Sequence, residues 1–154
     1  MTLKDNPDNN LNIMDNMESM DNEALNRLPG LTLAYLGDGV YELGVRRYLL
    51  SKGILKADEL HKATVEYVNA SFQSKFYYHI ESLLNEEEQA VLKRGRNAKS
   101  PTRSKSCSVG QYRNATGVEA LFGHVYLSGD EARLKQLFGL LYDFINNKDN
   151  CNKE

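Results

Sequence analysis

The sequence predicts an all-α fold. Valine and isoleucine are sparse, and no run of alternating polar and apolar residues reaches strand length between turn residues. Apolar residues recur instead at helical spacing, and helix-ending signals such as Pro-Gly and Ser-Lys-Gly separate the segments that they form. With 154 residues, 41% of them hydrophobic and 26% charged, the chain is long enough to form one globular domain with its own core.

Polar segments flank the predicted domain on both sides. Residues 1–19 are rich in Asn and Asp and carry apolar residues without a period, so we expect a disordered leader. Residues 147–154 have the same character and are expected to form a flexible tail. The folded domain is therefore predicted to span residues 20–146.

Six helices are predicted within this domain. The longest, from about Thr32 to Leu50, is apolar around most of its circumference and is expected to lie at the centre of the fold. A short helix precedes it, opening near Asp21 and ended by Pro29-Gly30. After it comes a helix from Ala57 or Asp58 to Ser82, which can break at Asn69-Ala70-Ser71, and then a helix that is capped by Asn85 and ends near Arg94-Gly95. The last two helices are predicted over residues 112–127 and 130–146.

The charge of the chain is segregated. The net charge is only −2, but the 30 residues from Gln89 to Val118 hold seven basic residues and no acidic residue, whereas the other 124 positions hold 12 basic and 21 acidic residues. Most of the basic residues fall in or beside a predicted loop over residues 96–110, which is long for a compact domain. A basic segment on an acidic body suits a polyanionic ligand.

Asp38 is the first candidate for chemistry. On the longest helix, Asp38, Glu42 and Arg46 are spaced so that they share one narrow polar face. Gly37 and Gly39 flank Asp38, and two glycines inside a helix indicate the close approach of another backbone or of a ligand. The alternative is a solvated stripe with a Glu42–Arg46 ion pair, which leaves Asp38 without a partner nearby in sequence.

Glu119 is the second candidate. It is the only acid of its predicted helix, and the small residues Thr116 and Gly123 share its face, so a neighbouring helix can pack closely and confine the carboxylate. A buried carboxylate needs a base or a cation as partner. The alternative is a salt bridge to Arg113 or to an arginine of the longest helix.

Together the two carboxylates and the basic segment indicate a hard divalent cation. Mg²⁺ prefers oxygen ligands and commonly uses one or two protein carboxylates, with water and substrate phosphate completing its shell. Such ions activate water and stabilise the leaving oxygen in phosphodiester hydrolysis. The residues alone therefore favour a metal-dependent nuclease.

Other classes of protein are disfavoured. The sequence has no Walker-type phosphate loop, no G-x-S-x-G motif and no pair of histidines at metal spacing. Its two cysteines lack metal-ligand spacing, which argues against a zinc site or a disulfide framework. No apolar run is long enough to span a membrane, and no secretory signal is recognisable, so we expect a cytoplasmic protein without a membrane partner.

Four motifs resemble the ribonuclease III family, in the right order along the chain. LAYLGDGVYELGVRRYLL resembles the signature helix of that family, and ATGVEALFGHVYL resembles its second motif. The Leu-His-Lys at 60–62 and the segment LKRGRNAKS at 92–100 are similar to the Mini subgroup, which consists of the catalytic domain without a double-stranded-RNA-binding domain. The resemblance covers about Ala24 to Phe144.

This resemblance implies a dimeric, helical endonuclease domain over residues 20–146 that cleaves double-stranded RNA with Mg²⁺. It places the catalytic, metal-binding carboxylates at Asp38 and Glu119. Family members trim the ends of precursor 23S ribosomal RNA, helped by a large-subunit ribosomal protein, and work as homodimers. Without an accessory domain, the basic segment is expected to contact the RNA, through Arg94, Arg96, Asn97, Lys99, Arg103, Lys105 and Arg113.

The chain departs from full-length ribonuclease III at two acidic positions, where it has Ala34 and Thr116. The Mini subgroup also lacks both acids, so water and RNA phosphate would have to complete the metal shell. Gly39 stands where alanine is more usual. Two other functions remain open from sequence: a catalytically inactive RNA-binding or ribosome-assembly module on the same fold, and a protein–protein adaptor whose basic loop is only a solvated surface.

Overall fold

The computed structural model describes residues 19–99 and 107–151. Every regular element in these ranges is helical, which confirms the predicted fold class. None of these helices combines the length and the apolar character needed to cross a membrane. The elements are α1 (Asn22–Arg27), α2 (Gly30–Ser51), α3 (Ala57–Val68), α4 (Ala70–Ile80), a 3-10 turn (Glu81–Leu83), α5 (Glu86–Asn97), α6 (Val109–Ser128) and α7 (Glu131–Cys151).

The predicted third helix is two helices, separated by Asn69. This residue has extended backbone angles, φ −80° and ψ 156°, and its side-chain oxygen accepts the N–H of Phe72 at the start of α4. Its side-chain nitrogen donates to the carbonyl oxygens of Val65 and Glu66 in the last turn of α3. One asparagine thus closes one helix and opens the next, which accounts for the break that the sequence allowed at this point.

Three helix boundaries differ from the prediction. α5 continues to Asn97, and α6 begins at Val109 behind a capping box of Ser108 and Gln111, so the predicted 96–110 loop is shorter at both ends. α7 continues to Cys151, so the tail predicted from residue 147 is helical through residue 151. Residues 1–18 of the predicted leader, residues 100–106 of the predicted loop and residues 152–154 lie outside the described ranges.

Side chains from α2, α3 and α4 contact the end of α7. The Tyr48 hydroxyl donates to the side-chain oxygen of Asn146, and the Tyr67 hydroxyl lies 3.1 Å from both carboxylate oxygens of Asp149. The ammonium of Lys148 lies 4.8 Å from the centre of the Phe72 ring. These contacts explain why α7 continues past residue 146, where the helical spacing of apolar residues ends.

The core forms around α2 and α6, the two central helices. Tyr41 of α2 and Phe122 of α6 are fully buried, and their rings meet edge to face with centroids 5.4 Å apart. The Tyr41 hydroxyl donates to the carbonyl oxygen of Tyr67 at 2.6 Å, so α3 is tied to the same layer. Phe76 of α4 is also fully buried and packs near Phe122. The predicted central position of α2 is confirmed.

Candidate active site

Two glycines let α2 and α6 touch through their backbones. A Cβ atom on Gly37 would lie 1.5 Å from the carbonyl oxygen of Glu119, and a Cβ atom on Gly123 would lie 2.1 Å from that of Leu33. No other residue type fits at either position without moving a helix. Because Asp38 follows Gly37 directly, this contact brings Asp38 beside Glu119.

The carboxyl groups of Asp38 and Glu119 line the same groove and are close enough for each to shift the pKa of the other. Burial, together with the charge and hydrogen bond of Asp38, raises the pKa of Glu119 to about 8. Burial and the charge of Glu42 also raise the pKa of Asp38, although the hydrogen bond from Glu119 opposes that rise. The pair therefore retains one proton at neutral pH, and a cation placed between the two groups would favour its release.

The alternatives that the sequence left open have different outcomes. Glu42 and Arg46 form the expected ion pair, with nitrogen and oxygen 3.2 Å apart on the exposed side of α2. Asp38 is not part of that pair. Among the described residues, Glu119 has no arginine partner, and the group that perturbs it is Asp38. The alternative of a salt bridge from Glu119 to an arginine is therefore not found among the described residues.

An open groove of about 670 Å³ lies over the two carboxyl groups. Ala34 and Thr116, which stand at the two acidic positions of full-length ribonuclease III, both line it, so the missing carboxylates leave free space beside the pair. The remaining walls come from the first half of α2, the α3–α4 junction and the start of α6: Leu31, Tyr35, Val68, Asn69, Ala70, Ser71, Gln73, Cys107, Tyr112 and Ala115.

The donor set of the groove fits a hard divalent cation with few protein ligands. Across the described ranges, no group of three or more His, Cys, Asp or Glu side chains is arranged to hold a metal ion. The groove offers two adjacent carboxyl groups and room for several waters or a phosphate. This is the mode in which Mg²⁺ is commonly bound, with one or two carboxylates and the rest of the shell from water and substrate.

Arg94 is bound to α1 in the free protein. Its guanidinium donates to the carbonyl oxygens of Asn26 at 3.1 Å and Leu25 at 3.5 Å, near the end of that short helix. The carbonyl of Leu25 also accepts the N–H of Leu28, the residue that caps α1, and the bonds from Arg94 fasten this helix end to α5. Its assignment to RNA contact stays a prediction, and its present partners give it a structural role.

The other predicted RNA contacts differ in exposure. Arg96 is half-buried, donates to the Tyr77 hydroxyl at 3.1 Å and lies 5.9 Å from the centre of that ring. Asn97, Lys99 and Arg113 are exposed and accessible to a ligand. Arg103 and Lys105 lie outside the described residues.

The start of α4 is the part of the groove that sequence reasoning missed. The Asn69 break was visible as a helix-start signal, but no pattern in the sequence places that start opposite Glu119. The connection depends on the packing of α4 against α6. There Asn114 of α6 donates to the side chain of Ser74 at 3.0 Å in the buried interface.

The helical fold and the carboxylate pair define a class of protein. Residues 31–130 match the profile of the family described as Ribonuclease III domain, and this match includes both Asp38 and Glu119. The chain therefore belongs to the ribonuclease III family, whose members are endoribonucleases.

Similar proteins narrow the group within that family. A Mini-ribonuclease 3 of Symbiobacterium thermophilum is 44% identical over 118 residues, which cover 77% of this chain and 91% of that protein. One from Desulfitobacterium hafniense is 47% identical over 119 residues, which cover 77% and 75%. A solved protein from Fusobacterium nucleatum has a TM-score of 0.68 at 36% identity, covering 79% of this chain and 95% of that chain. The resemblance to the Mini subgroup is confirmed.

Proposed function

We propose that the protein cleaves double-stranded RNA and that Asp38 and Glu119 are its catalytic residues. The observation that carries this proposal is the pair of carboxyl groups that line one open groove, held together by the backbone contact of α2 and α6. The two groups lie where a phosphodiester can reach both of them. The groove is open, so a duplex would lie across the surface of the domain.

Mg²⁺ is the proposed cofactor, and Asp38 and Glu119 would hold it. When bound, the ion supplies an activated water and stabilises the charge on the leaving oxygen. The protein's own contribution is position and charge. Gly37 and Gly123 fix the separation of the two carboxyl groups, and the half-buried Glu119 loses its proton when a cation binds where that proton was.

Precursor 23S ribosomal RNA is the proposed natural substrate, with a large-subunit ribosomal protein as helper. Both follow from the motif resemblance to the Mini subgroup. Such a substrate also implies a cytoplasmic protein. The test is to incubate the purified protein with precursor ribosomal RNA, with and without the ribosomal protein, and to map the cut positions against the mature ends.

The active unit is proposed to be a homodimer that uses one side of α2. Tyr35 is 84% exposed and Leu43 is 62% exposed, and with Gly39 and Leu50 they form a stripe along that helix. A Cβ atom on Gly39 would meet nothing within 4 Å, so a second helix can approach there. A dimer buries this apolar stripe and places two grooves on one assembly, one for each RNA strand.

A cleavage assay tests the central proposal. Purified protein is incubated with a long RNA duplex, either with Mg²⁺ or with EDTA, and we expect cleavage only with Mg²⁺. Asp38→Asn and Glu119→Gln each remove one charge at nearly constant volume, so each should abolish cleavage and leave the thermal unfolding midpoint within a few degrees of wild type.

Cleavage by either variant within a few-fold of wild type would remove that residue from the catalytic role. Duplex binding without any cleavage by the wild-type protein, over a range of divalent cations, would instead favour the inactive RNA-binding module.

A further inference from the structure

The first turn of α4 faces the catalytic groove. Asn69, Ala70 and Ser71 line the groove together with the carboxylate pair. The Asn69 side chain takes the N–H of Phe72, and helix geometry leaves the N–H groups of Ala70 and Ser71 without an intrahelical acceptor. The start of an eleven-residue helix in this position favours an RNA phosphate.

Gln73, one turn further along α4, is a polar residue beside this helix start. It is only 2% exposed, and it lines the same groove. Within the described ranges its side-chain amide makes no hydrogen bond, and it is not among the fully buried unpaired atoms, which belong to Arg94 and His124, so the amide keeps access to the groove. The neighbouring polar side chain, Ser74, accepts a hydrogen bond from Asn114, whereas the amide of Gln73 has no such bond. An amide that borders a groove and has no partner inside the protein is free to hydrogen-bond a polar group of a ligand there.

The chemistry of the groove decides which partner fits. Cleavage acts on a phosphodiester, so the RNA backbone, and not the base edges, must lie beside Asp38 and Glu119. Besides phosphate, the polar group of that backbone is the ribose 2′-hydroxyl, which both donates and accepts a hydrogen bond. An amide side chain also offers one donor group and one acceptor and carries no charge. A carboxylate or an ammonium at this position would match only half of the hydroxyl.

We propose that the Gln73 amide, beside the start of α4, binds a ribose 2′-hydroxyl of the strand being cut and makes this groove selective for RNA over DNA. The inference rests on the proposed function, because it needs the duplex to lie in this groove. Phosphate contacts to the N–H groups of Ala70 and Ser71 position the strand, and Gln73 reads the sugar beside the phosphate.

Duplexes with a single 2′-deoxy nucleotide test the inference. The cut position is first mapped on an all-ribose duplex, and the 2′-deoxy substitution is then moved one nucleotide at a time across it. Affinity is measured in Ca²⁺, which we expect to support binding with little cleavage, and the cleavage rate is measured in Mg²⁺. The proteins are wild type, Gln73→Leu and Gln136→Leu. Gln136 is an exposed residue of α7 outside the groove, so it controls for the change of residue type.

At one position the 2′-deoxy substitution should weaken wild-type binding about 3- to 10-fold, the value of one hydrogen bond. Gln73→Leu should lose a similar factor on the all-ribose duplex and then show no further loss on the deoxy duplex. Gln136→Leu should behave as wild type. If Gln73→Leu unfolds at a lower temperature than wild type, Gln73→Met replaces it, because methionine is similar in volume to glutamine. The same loss on the all-ribose duplex, with no further loss on the deoxy duplex, is then expected.

Equal sensitivity of wild type and both Gln73 variants to the 2′-deoxy substitution at every position would overturn the inference. That outcome leaves the proposed function intact, since the wild-type protein still cuts the all-ribose duplex. A wild-type protein that neither binds nor cuts any duplex defeats the proposed function and the inference together.

Discussion

Glu88 is a nearly buried carboxylate whose two oxygens are both engaged. Arg133 donates to each of them at 2.7 Å, and the backbone N–H of Asn85 donates to one at 3.1 Å. Burial acts to raise the pKa of Glu88, but the hydrogen bonds from Arg133 and Asn85 outweigh it, so the pKa lies below its ordinary value. The charged form of Glu88 therefore joins α5 to the start of α7.

Replacing Glu88 with glutamine should reduce stability at neutral pH and have little effect in acid. The loss at pH 7 should be about 1–3 kcal/mol, the range for hydrogen bonds to a charged group. Because the folded pKa is depressed, the stabilisation is present above the unfolded pKa of about 4.3 and is lost as pH falls through the folded value. Urea unfolding of both proteins at pH 7 and near pH 3 measures this. An equal difference at the two pH values would contradict it.

Alanine variants of Arg94 and Lys99 should distinguish a basic side chain that stabilises the fold from one that binds RNA. Arg94→Ala removes the contacts to Leu25 and Asn26, so it should lower the free energy of unfolding by about 1–3 kcal/mol. Lys99 is exposed beyond the end of α5, so Lys99→Ala should leave stability unchanged. It should instead reduce the slope of log affinity against log salt by roughly 0.7 to 0.9 if it contacts one phosphate.

The two measurements are urea unfolding and duplex binding in Ca²⁺ at several salt concentrations. An Arg94→Ala variant of full stability with a flattened salt slope would assign Arg94 to the RNA instead.

At the scale of elements, the crossing of α2 and α6 should tolerate no side chain at Gly37. Gly37→Ala forces a methyl group into the backbone of Glu119, so it should cost about 1–3 kcal/mol, or more, and abolish cleavage by parting the carboxyl groups. Gly139→Ala is the matched control, because Gly139 lies inside α7, away from the proposed dimer stripe, and has open space around it. It should raise stability by up to about 1 kcal/mol, because alanine favours a helix. Thermal unfolding and cleavage assays compare the two, and equal tolerance of both would refute the crossing.

The sequence predicted the helices well and their ends less well, for a physical reason. Gly95 indicated the end of a helix, yet α5 continues to Asn97 because that glycine serves packing: a Cβ atom there would lie 2.6 Å from the Cβ of Ala120. By contrast, the break predicted at Pro29-Gly30 is confirmed: α1 ends at Arg27, and Gly30 begins α2, packed against the backbone of Arg94. A glycine that ends a helix and one that admits a neighbouring helix look alike in one sequence.

The same limit applies to the site. Glycines beside Asp38 and near Glu119 indicated close approach, and both carboxylates were selected from that pattern. The two carboxylates lie side by side because Gly37 packs on the backbone of Glu119 and Gly123 on that of Leu33. One sequence does not show which glycine contacts which helix. Gln73 carried no signal, because a glutamine inside an aromatic-rich helix is ordinary until its burial and its missing partner are known.

At the scale of the whole molecule, the apolar stripe on α2 should hold the homodimer together. Leu43→Arg places a charge in the middle of that stripe, so it should shift the protein to a monomer. Leu55→Arg is the control, since Leu55 is 79% exposed in the connection between α2 and α3, outside the stripe. Sedimentation at micromolar concentration in moderate salt compares them with wild type. A monomeric wild-type protein, or a Leu43→Arg variant that remains dimeric, would contradict the assignment.

Because the glycine contact between α2 and α6 holds the site together, heat should inactivate the protein only when the whole domain unfolds. Asp38 and Glu119 stand on the two helices at the centre of the core, and amide hydrogens of such helices exchange with solvent mainly through global unfolding. We therefore expect the two carboxyl groups to separate only when the domain unfolds. Along a temperature ramp, the cleavage rate should therefore rise until unfolded protein becomes measurable and then fall with the folded fraction. Activity lost well below the unfolding transition would reveal a weaker unit at the site.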